Sequence, residues 1–66
     1  MWIEHNGQIL PSHAGVLDLV LVEFRDGTRT DTAEEVKYWC GAASNWKWNR
    51  RFPSPSEIVA YKKVER

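Results

Sequence analysis

The run from Val16 to Phe24 constrains the fold most, because it is the clearest β-strand in the sequence. Successive side chains of a strand point to opposite faces, so Val20, Val22 and Phe24 share one face. The intervening positions are also apolar as far as Leu21. Apolar residues on both faces predict a central strand that is covered on both sides.

Two glycine-containing pairs predict turns that fold neighbouring segments back. Asp26-Gly27 lies between strand-like runs and is typical of a hairpin, with the return strand expected at Thr28–Asp31. Asn6-Gly7 is a second tight-turn pair. It separates a short start at Trp2–His5 from a further short strand expected at Gln8–Leu10.

Residues 33–43 predict a short amphipathic helix that lies on the sheet. Thr32 and Glu35 have the spacing of a capping box, in which each side chain bonds an unpaired backbone amide of the other. The apolar positions that follow are spaced i, i+3, i+4 and i+7, as on one helical face: Val36, Trp39, Cys40 and Ala43. Alternatively the strand continues through Val36–Trp39, whose residues suit a sheet equally well.

The second half of the chain adds two more expected strands. Trp46–Arg50 alternates aromatic and polar residues, which would place both indoles on one side. Glu57–Val64 forms the last strand, after a stiff segment that contains Pro53 and Pro55. The predicted fold class is therefore α+β, with an antiparallel sheet of three to five strands and one helix at about residues 33–43. A single domain is expected over residues 1–66.

The length of 66 residues limits how the domain can be stabilised. A chain this short buries only about 60 % of the surface that its unfolded form exposes. Cys40 is the only cysteine, so no intramolecular disulfide can form, which fits a reducing cytosol. The stabilising interactions must then come from packing of its eight aromatic residues or from self-association, so a homo-oligomer is an open alternative.

Charge and hydropathy indicate where in the cell the protein is expected. The net charge is zero, but residues 1–36 carry seven acids and two bases, whereas residues 37–66 carry seven bases and two acids. Such a chain can present one acidic and one basic face. No apolar run approaches the roughly 18 residues of a membrane span, and the start lacks the basic region of a secretory signal. We expect a cytoplasmic protein with no membrane partner.

No grouping of residues predicts catalysis, a cofactor or a metal site. Cys40 falls on the apolar face of the expected helix, where a small buried hydrophobe is its expected role. The spacing of His5, His13 and Cys40 matches no zinc pattern. Both histidines are expected in solvent, beside a turn and in a loop. The sequence therefore predicts a protein that is not an enzyme.

The segment from Trp46 to Phe52 interleaves aromatic and basic residues. Such a pattern can stack nucleobases and neutralise phosphates. The alternative is that the tryptophans are core residues and that the bases form the solvated face of one strand. The candidate binding residues are Trp46, Lys47, Trp48, Arg50 and Arg51, with Tyr38 and Trp39 as further members.

Three stretches resemble a family of small phage and prophage proteins. They are Trp2-Ile3-Glu4-His5-Asn6-Gly7 with Pro11, Val20-Leu21-Val22-Glu23-Phe24-Arg25-Asp26-Gly27, and Glu57-Ile58-Val59-Ala60-Tyr61-Lys62-Lys63-Val64. That family has a tryptophan-led start, an Asn-Gly turn, an Arg-Asp-Gly hairpin and a final strand near Asp-Ile-Ile-Ala-Tyr-Arg. This chain departs from it at Gln8, Glu57 and Lys62 and has a longer middle segment, residues 32–45. The resemblance implies a phage origin and a β-rich fold, but no established activity.

These observations favour a phage-encoded, non-enzymatic binding protein that inhibits a host factor, with a defence system such as CRISPR as the leading candidate. The expected partner is a host protein in the host cytoplasm. One alternative is a homo-oligomeric sponge for a small signalling nucleotide, because Pro53–Tyr61 is similar to the end of phage Thoeris anti-defence proteins. Another is a single-stranded nucleic-acid-binding module, although such modules usually carry a basic excess.

Overall fold

The computed structural model describes residues 1–40 and 44–65, and its main element is a four-stranded antiparallel sheet. The strands are β1 (Ile3–Glu4), β2 (Leu19–Phe24), β3 (Glu34–Glu35) and β4 (Ile58–Val64). Their order is β1-β4-β2-β3, so the two long strands lie in the middle and the two-residue strands form the edges. The predicted antiparallel sheet of three to five strands is confirmed.

The pairing of β2 with β4 contains one irregularity that shapes the core. Glu23 lies opposite Ala60, but the next residue, Phe24, lies opposite Ile58. The register therefore passes over Val59, which leaves two residues of β4 opposite one of β2, as in a β-bulge. Because of the bulge, Ile58 turns towards the core, where it is fully buried.

The core lies on one face of the sheet. Its buried hydrophobic residues are Val20, Val22, Val36, Trp39, Trp46, Ile58 and Tyr61. Trp46 is 0 % exposed, and its Nε1–H donates a 3.1 Å hydrogen bond to the carbonyl of Val36. Leu19 and Leu21, which point to the opposite face, are only partly buried. β2 is therefore central, as predicted, but the expectation that it is covered on both faces is wrong.

The predicted helix over residues 33–43 is replaced by a short strand and one helical turn. Glu34 and Glu35 pair with β2 as β3, and Val36–Trp39 forms a 3-10 helix. Extended backbone at Cys40 ends this turn, with φ −96° and ψ 123°. No capping box forms, because Glu35 is extended and its backbone is used in the sheet. The described chain is therefore mostly β, and positions 41–43, including Ala43, lie outside the described residues.

The predicted turns are more accurate than the strands beside them. Gly7 and Gly27 both have positive φ, at 86° and 93°. After the second turn, Arg29 forms only an isolated bridge with Glu23, so a regular strand at Thr28–Asp31 is not present. Gln8–Leu10 and Trp46–Arg50 are also irregular, and neither segment joins the sheet.

Candidate functional site

Asn49 fixes the shape of an exposed loop that carries two arginines. Its side-chain Oδ1 accepts hydrogen bonds from the backbone N–H groups of Arg51 (3.0 Å) and Phe52 (3.1 Å). An asparagine side chain that bonds the backbone two residues on is a common way to stabilise a turn. Arg50, Arg51 and Phe52 are all exposed, and Phe52 is 70 % exposed. The loop therefore presents two cations and an aromatic ring from a fixed turn.

A buried carboxylate connects this loop to the hairpin that follows β2. Glu57 is only 5 % exposed, and its Oε2 accepts the N–H of Asn49 at 2.6 Å. Its Oε1 accepts the Nε–H of Arg25 at 3.0 Å. Burial alone would raise the pKa of Glu57, but the hydrogen bonds from Asn49 and Arg25 outweigh it and hold the pKa below the usual value. The carboxylate is therefore ionised at neutral pH.

Trp48 supports Arg50, which belongs to the loop, and Arg25, which belongs to the hairpin after β2. The Cζ of Arg25 lies 4.6 Å from the ring centroid of Trp48, and the Cζ of Arg50 lies 5.6 Å from it. The backbone of Gly7 also packs against the ring, since a Cβ atom on Gly7 would fall 2.6 Å from Cδ2 of Trp48. The indole N–H donates to the carbonyl of Ile58 at 2.8 Å. Trp48 is thus a fixed platform for guanidinium groups, which aromatic faces attract.

A shallow cavity of about 220 Å³ opens beside this platform. Its lining residues are Arg25, Trp48, Asn49, Arg50 and Pro53. Arg25 uses Nε for Glu57, and Arg50 uses Nη2 for the backbone carbonyl of Asn6 at 3.0 Å. The remaining guanidinium N–H groups of both arginines make no hydrogen bond with the described residues. We call Arg25, Lys47, Trp48, Arg50, Arg51 and Phe52 the basic cluster.

The structure separates the seven candidate residues into three groups. Lys47, Arg50 and Arg51 are exposed, and Arg50 lies against the half-buried Trp48. Trp39 and Trp46 are buried and belong to the core, so they present no exposed binding surface. Tyr38 is 68 % exposed, but it reaches Trp48 only through a series of edge-to-face rings formed by Trp39, Trp46 and His5. It therefore lies apart from the basic cluster.

His5 is a structural residue, and the expectation that solvent surrounds it is wrong. It is buried, and its Nε2 lies 2.7 Å from the carbonyl of Trp46 and 3.0 Å from that of Gln8. Its ring packs edge-on against Trp46 and Trp48. His5 thereby joins the first strand to the segment that carries the basic cluster. His13 is exposed, as expected.

Arg25 and Glu57 are the members of the site that sequence reasoning missed. They are 32 positions apart. Arg25 also stands in an exposed turn, where a charged side chain is ordinary and indicates no site. No local pattern connects such residues. The one signal is an acid directly before the final apolar strand. If that acid is buried, its carboxylate requires a partner.

The described residues offer no metal site, and the one thiol takes part in a hydrogen bond to the backbone. Among residues 1–40 and 44–65, no three His, Cys, Asp or Glu side chains are placed to hold a metal ion. Burial raises the pKa of the Cys40 thiol, whose Sγ–H donates to the carbonyl of Val36 at 3.5 Å. Within the same residues, no helix has the length and apolar character needed to cross a membrane.

Comparison with known proteins identifies no relative of this chain. No protein-family model, curated protein or solved structure matches the chain. The resemblance to phage proteins stays a prediction, and the function has to be inferred from the geometry of the basic cluster.

Proposed function

We propose that this chain is a non-enzymatic binding protein that docks through the basic cluster on an acidic surface of a partner protein. The observation that carries the proposal is the placement of the Arg25 and Arg50 guanidinium groups against Trp48, with Arg51 exposed on the adjoining turn. Among the described residues, the only carboxylate that accepts a hydrogen bond from these arginines is Glu57, whose two oxygens are both engaged. Arginine and aromatic residues contribute most of the binding energy in many protein interfaces. Their fixed placement lowers the entropy that binding costs.

The partner we propose is a host protein, and the protein acts by inhibiting it. Taken with the resemblance to phage proteins, this makes the chain a phage-encoded inhibitor of a host defence system such as CRISPR, acting in the host cytoplasm. Inhibition of this kind needs only that a surface of the target be covered. An acidic target surface would also speed association, because opposite charges steer the encounter.

The state of the indoles favours a protein partner over a nucleotide or single-stranded nucleic acid. Sequence-tolerant binding of bases uses exposed aromatic faces. Trp46 is fully buried, and the ring of Trp48 is already contacted by Gly7 and Arg25. A base would have to displace these contacts before it could stack on either indole.

A charge-reversal pair tests the proposal. We expect R50E/R51E to lose inhibition, since reversing two central charges in an interface raises Kd by a factor of about 30 or more. The matched control is K62E/K63E, which makes the same change in net charge on β4. Cells with an active CRISPR system would express each variant and be challenged with a phage that the system targets. Plaques should appear with the wild type and the control, but not with R50E/R51E.

The same assay contains the results that contradict the proposal. Plaques with R50E/R51E at the wild-type level would exclude the basic cluster as the docking surface. No plaques with the wild-type protein would exclude inhibition of that defence system. A native mass spectrum of protein purified from its natural cells gives an independent check. A defined oligomer carrying extra small-molecule mass would instead support the nucleotide sponge.

A further inference from the structure

We infer that the cavity between Arg25 and Arg50 is a carboxylate site, which takes one Asp or Glu side chain of the partner. This inference rests on the proposed function and names the group that the basic cluster recognises. The cavity is lined by both arginines, and each retains N–H donors that the described residues do not use. Guanidinium groups bind carboxylates through two parallel hydrogen bonds when such donors are free.

Both arginines are held in place before a ligand arrives. Arg25 is fixed by its Nε bond to Glu57 and by its position over Trp48. Arg50 is fixed by its Nη2 bond to the carbonyl of Asn6 and by the same indole ring. A guanidinium held at two points loses little further rotamer freedom on binding. The site is therefore preorganised, although both arginines are exposed.

The charge of the cavity walls selects the kind of anion. Two guanidinium groups face the cavity, and the ionised Glu57 balances one of them. One positive charge remains, which matches the single charge of a carboxylate better than the double charge of a phosphate monoester such as AMP at neutral pH. Gly7 and Arg25 already contact the ring of Trp48, so a nucleobase would have to displace one of these contacts to stack there. A protein carboxylate is thus favoured over a nucleoside monophosphate.

The test uses a small probe in place of the partner. N-acetyl-aspartate N-methylamide would be titrated into ¹⁵N-labelled protein at constant ionic strength, with the asparagine analogue as the uncharged control. The backbone amide of Asn49 and the indole N–H of Trp48 report on the cavity. We expect saturable shifts with the aspartate compound alone. R50Q should weaken this binding about tenfold or more, because a charge-assisted hydrogen bond is lost. K62Q, which removes one positive charge at an exposed position of β4 outside the basic cluster, should leave it unchanged.

Several outcomes would overturn the inference. They are shifts that do not saturate, equal shifts with the asparagine analogue, or unchanged binding to R50Q. AMP binding more than about tenfold tighter than the aspartate compound would assign the cavity to a nucleotide instead. The urea midpoint of R50Q shows whether the variant is folded. If the probe binds but R50E/R51E still inhibits, the proposed function fails and the site stands. If the probe does not bind but R50E/R51E loses inhibition, only the carboxylate site is refuted.

Discussion

Substitution of Gly7 by alanine probes the contact that supports the basic cluster. Gly7 has φ +86°, and a Cβ atom there would lie 2.6 Å from Cδ2 and 2.8 Å from Cε3 of Trp48. The left-handed backbone conformation costs an alanine about 1–2 kcal/mol. Forcing a methyl group into a packed ring costs about 1–3 kcal/mol more. We therefore expect G7A to lower the free energy of unfolding by about 2–5 kcal/mol.

Gly27 provides a matched control for this substitution. Its φ of +93° is nearly the same, but a Cβ atom there would have no neighbour within 4 Å. G27A should therefore lose only the backbone contribution, about 1–2 kcal/mol. The difference between the two variants isolates the contact of Gly7 with Trp48.

Urea unfolding, monitored by circular dichroism, gives the free energy of unfolding of both variants. The two data sets are compared with one common dependence of that free energy on urea concentration. A small domain without disulfides has a stability of only about 3–5 kcal/mol, so G7A will be close to unfolded. Even then, a lower limit on its destabilisation suffices for the comparison with G27A. Equal destabilisation by the two substitutions would refute the packing of Gly7 against Trp48. It would also remove the argument that this ring is unavailable to a base.

Two further predictions concern groups buried beside the site and in the core. The pKa of Glu57 is lower in the folded chain than its ordinary 4.5, so its stabilising contribution is complete above about pH 4.5 and is lost as the pH falls through the folded pKa. Urea midpoints of the wild type measured down to about pH 3 should show this loss. E57Q should be less stable at neutral pH but should lose less stability on acidification. An equal loss of stability in the wild type and E57Q would contradict the prediction. W46F removes the hydrogen bond to Val36 and part of a fully buried ring. We therefore expect the free energy of unfolding, measured with urea, to fall by about 2–3 kcal/mol. Y38A, at an exposed ring, should change stability by about 0.5 kcal/mol or less, and similar losses in the two variants would contradict the placement of Trp46.

The parts of the fold that local chemistry determines could be predicted from the sequence. Val20 and Val22 are buried on one face of β2, as their alternation indicates. Gly27 has the positive φ that the Asp-Gly pair predicts. In both cases neighbouring residues contain all the information, since side-chain alternation and backbone freedom are local properties.

The helix at residues 33–43 could not be excluded locally. Its apolar spacing fits one face of a helix, but the free edge of β2 pairs with Glu34 and Glu35 and satisfies their backbone groups in a sheet. Strand pairing of this kind depends on a segment 15 or so residues earlier in the chain. Tertiary context therefore decided the structure of a segment whose own preference was ambiguous.

The candidate site was predicted only in part, for a similar reason. Lys47, Arg50 and Arg51 are exposed, as their charges suggest. The two tryptophans of the same segment differ in depth because Trp46–Arg50 is irregular and does not alternate as a strand. Arg25 and Glu57 meet only after β2 and β4 have paired.

The strand order has a consequence for how the chain folds as it is made. β4 lies between β1 and β2 and pairs with both of them, so neither has its main partner until residues 58–64 have been synthesised. Contacts between such distant segments form slowly, because a long loop must close first. The sheet therefore forms after translation of its last strand and not progressively during synthesis. A chain interrupted before Ile58 would lack Ile58 and Tyr61 from its core and the main partner of β2, which makes it a target for proteases and chaperones.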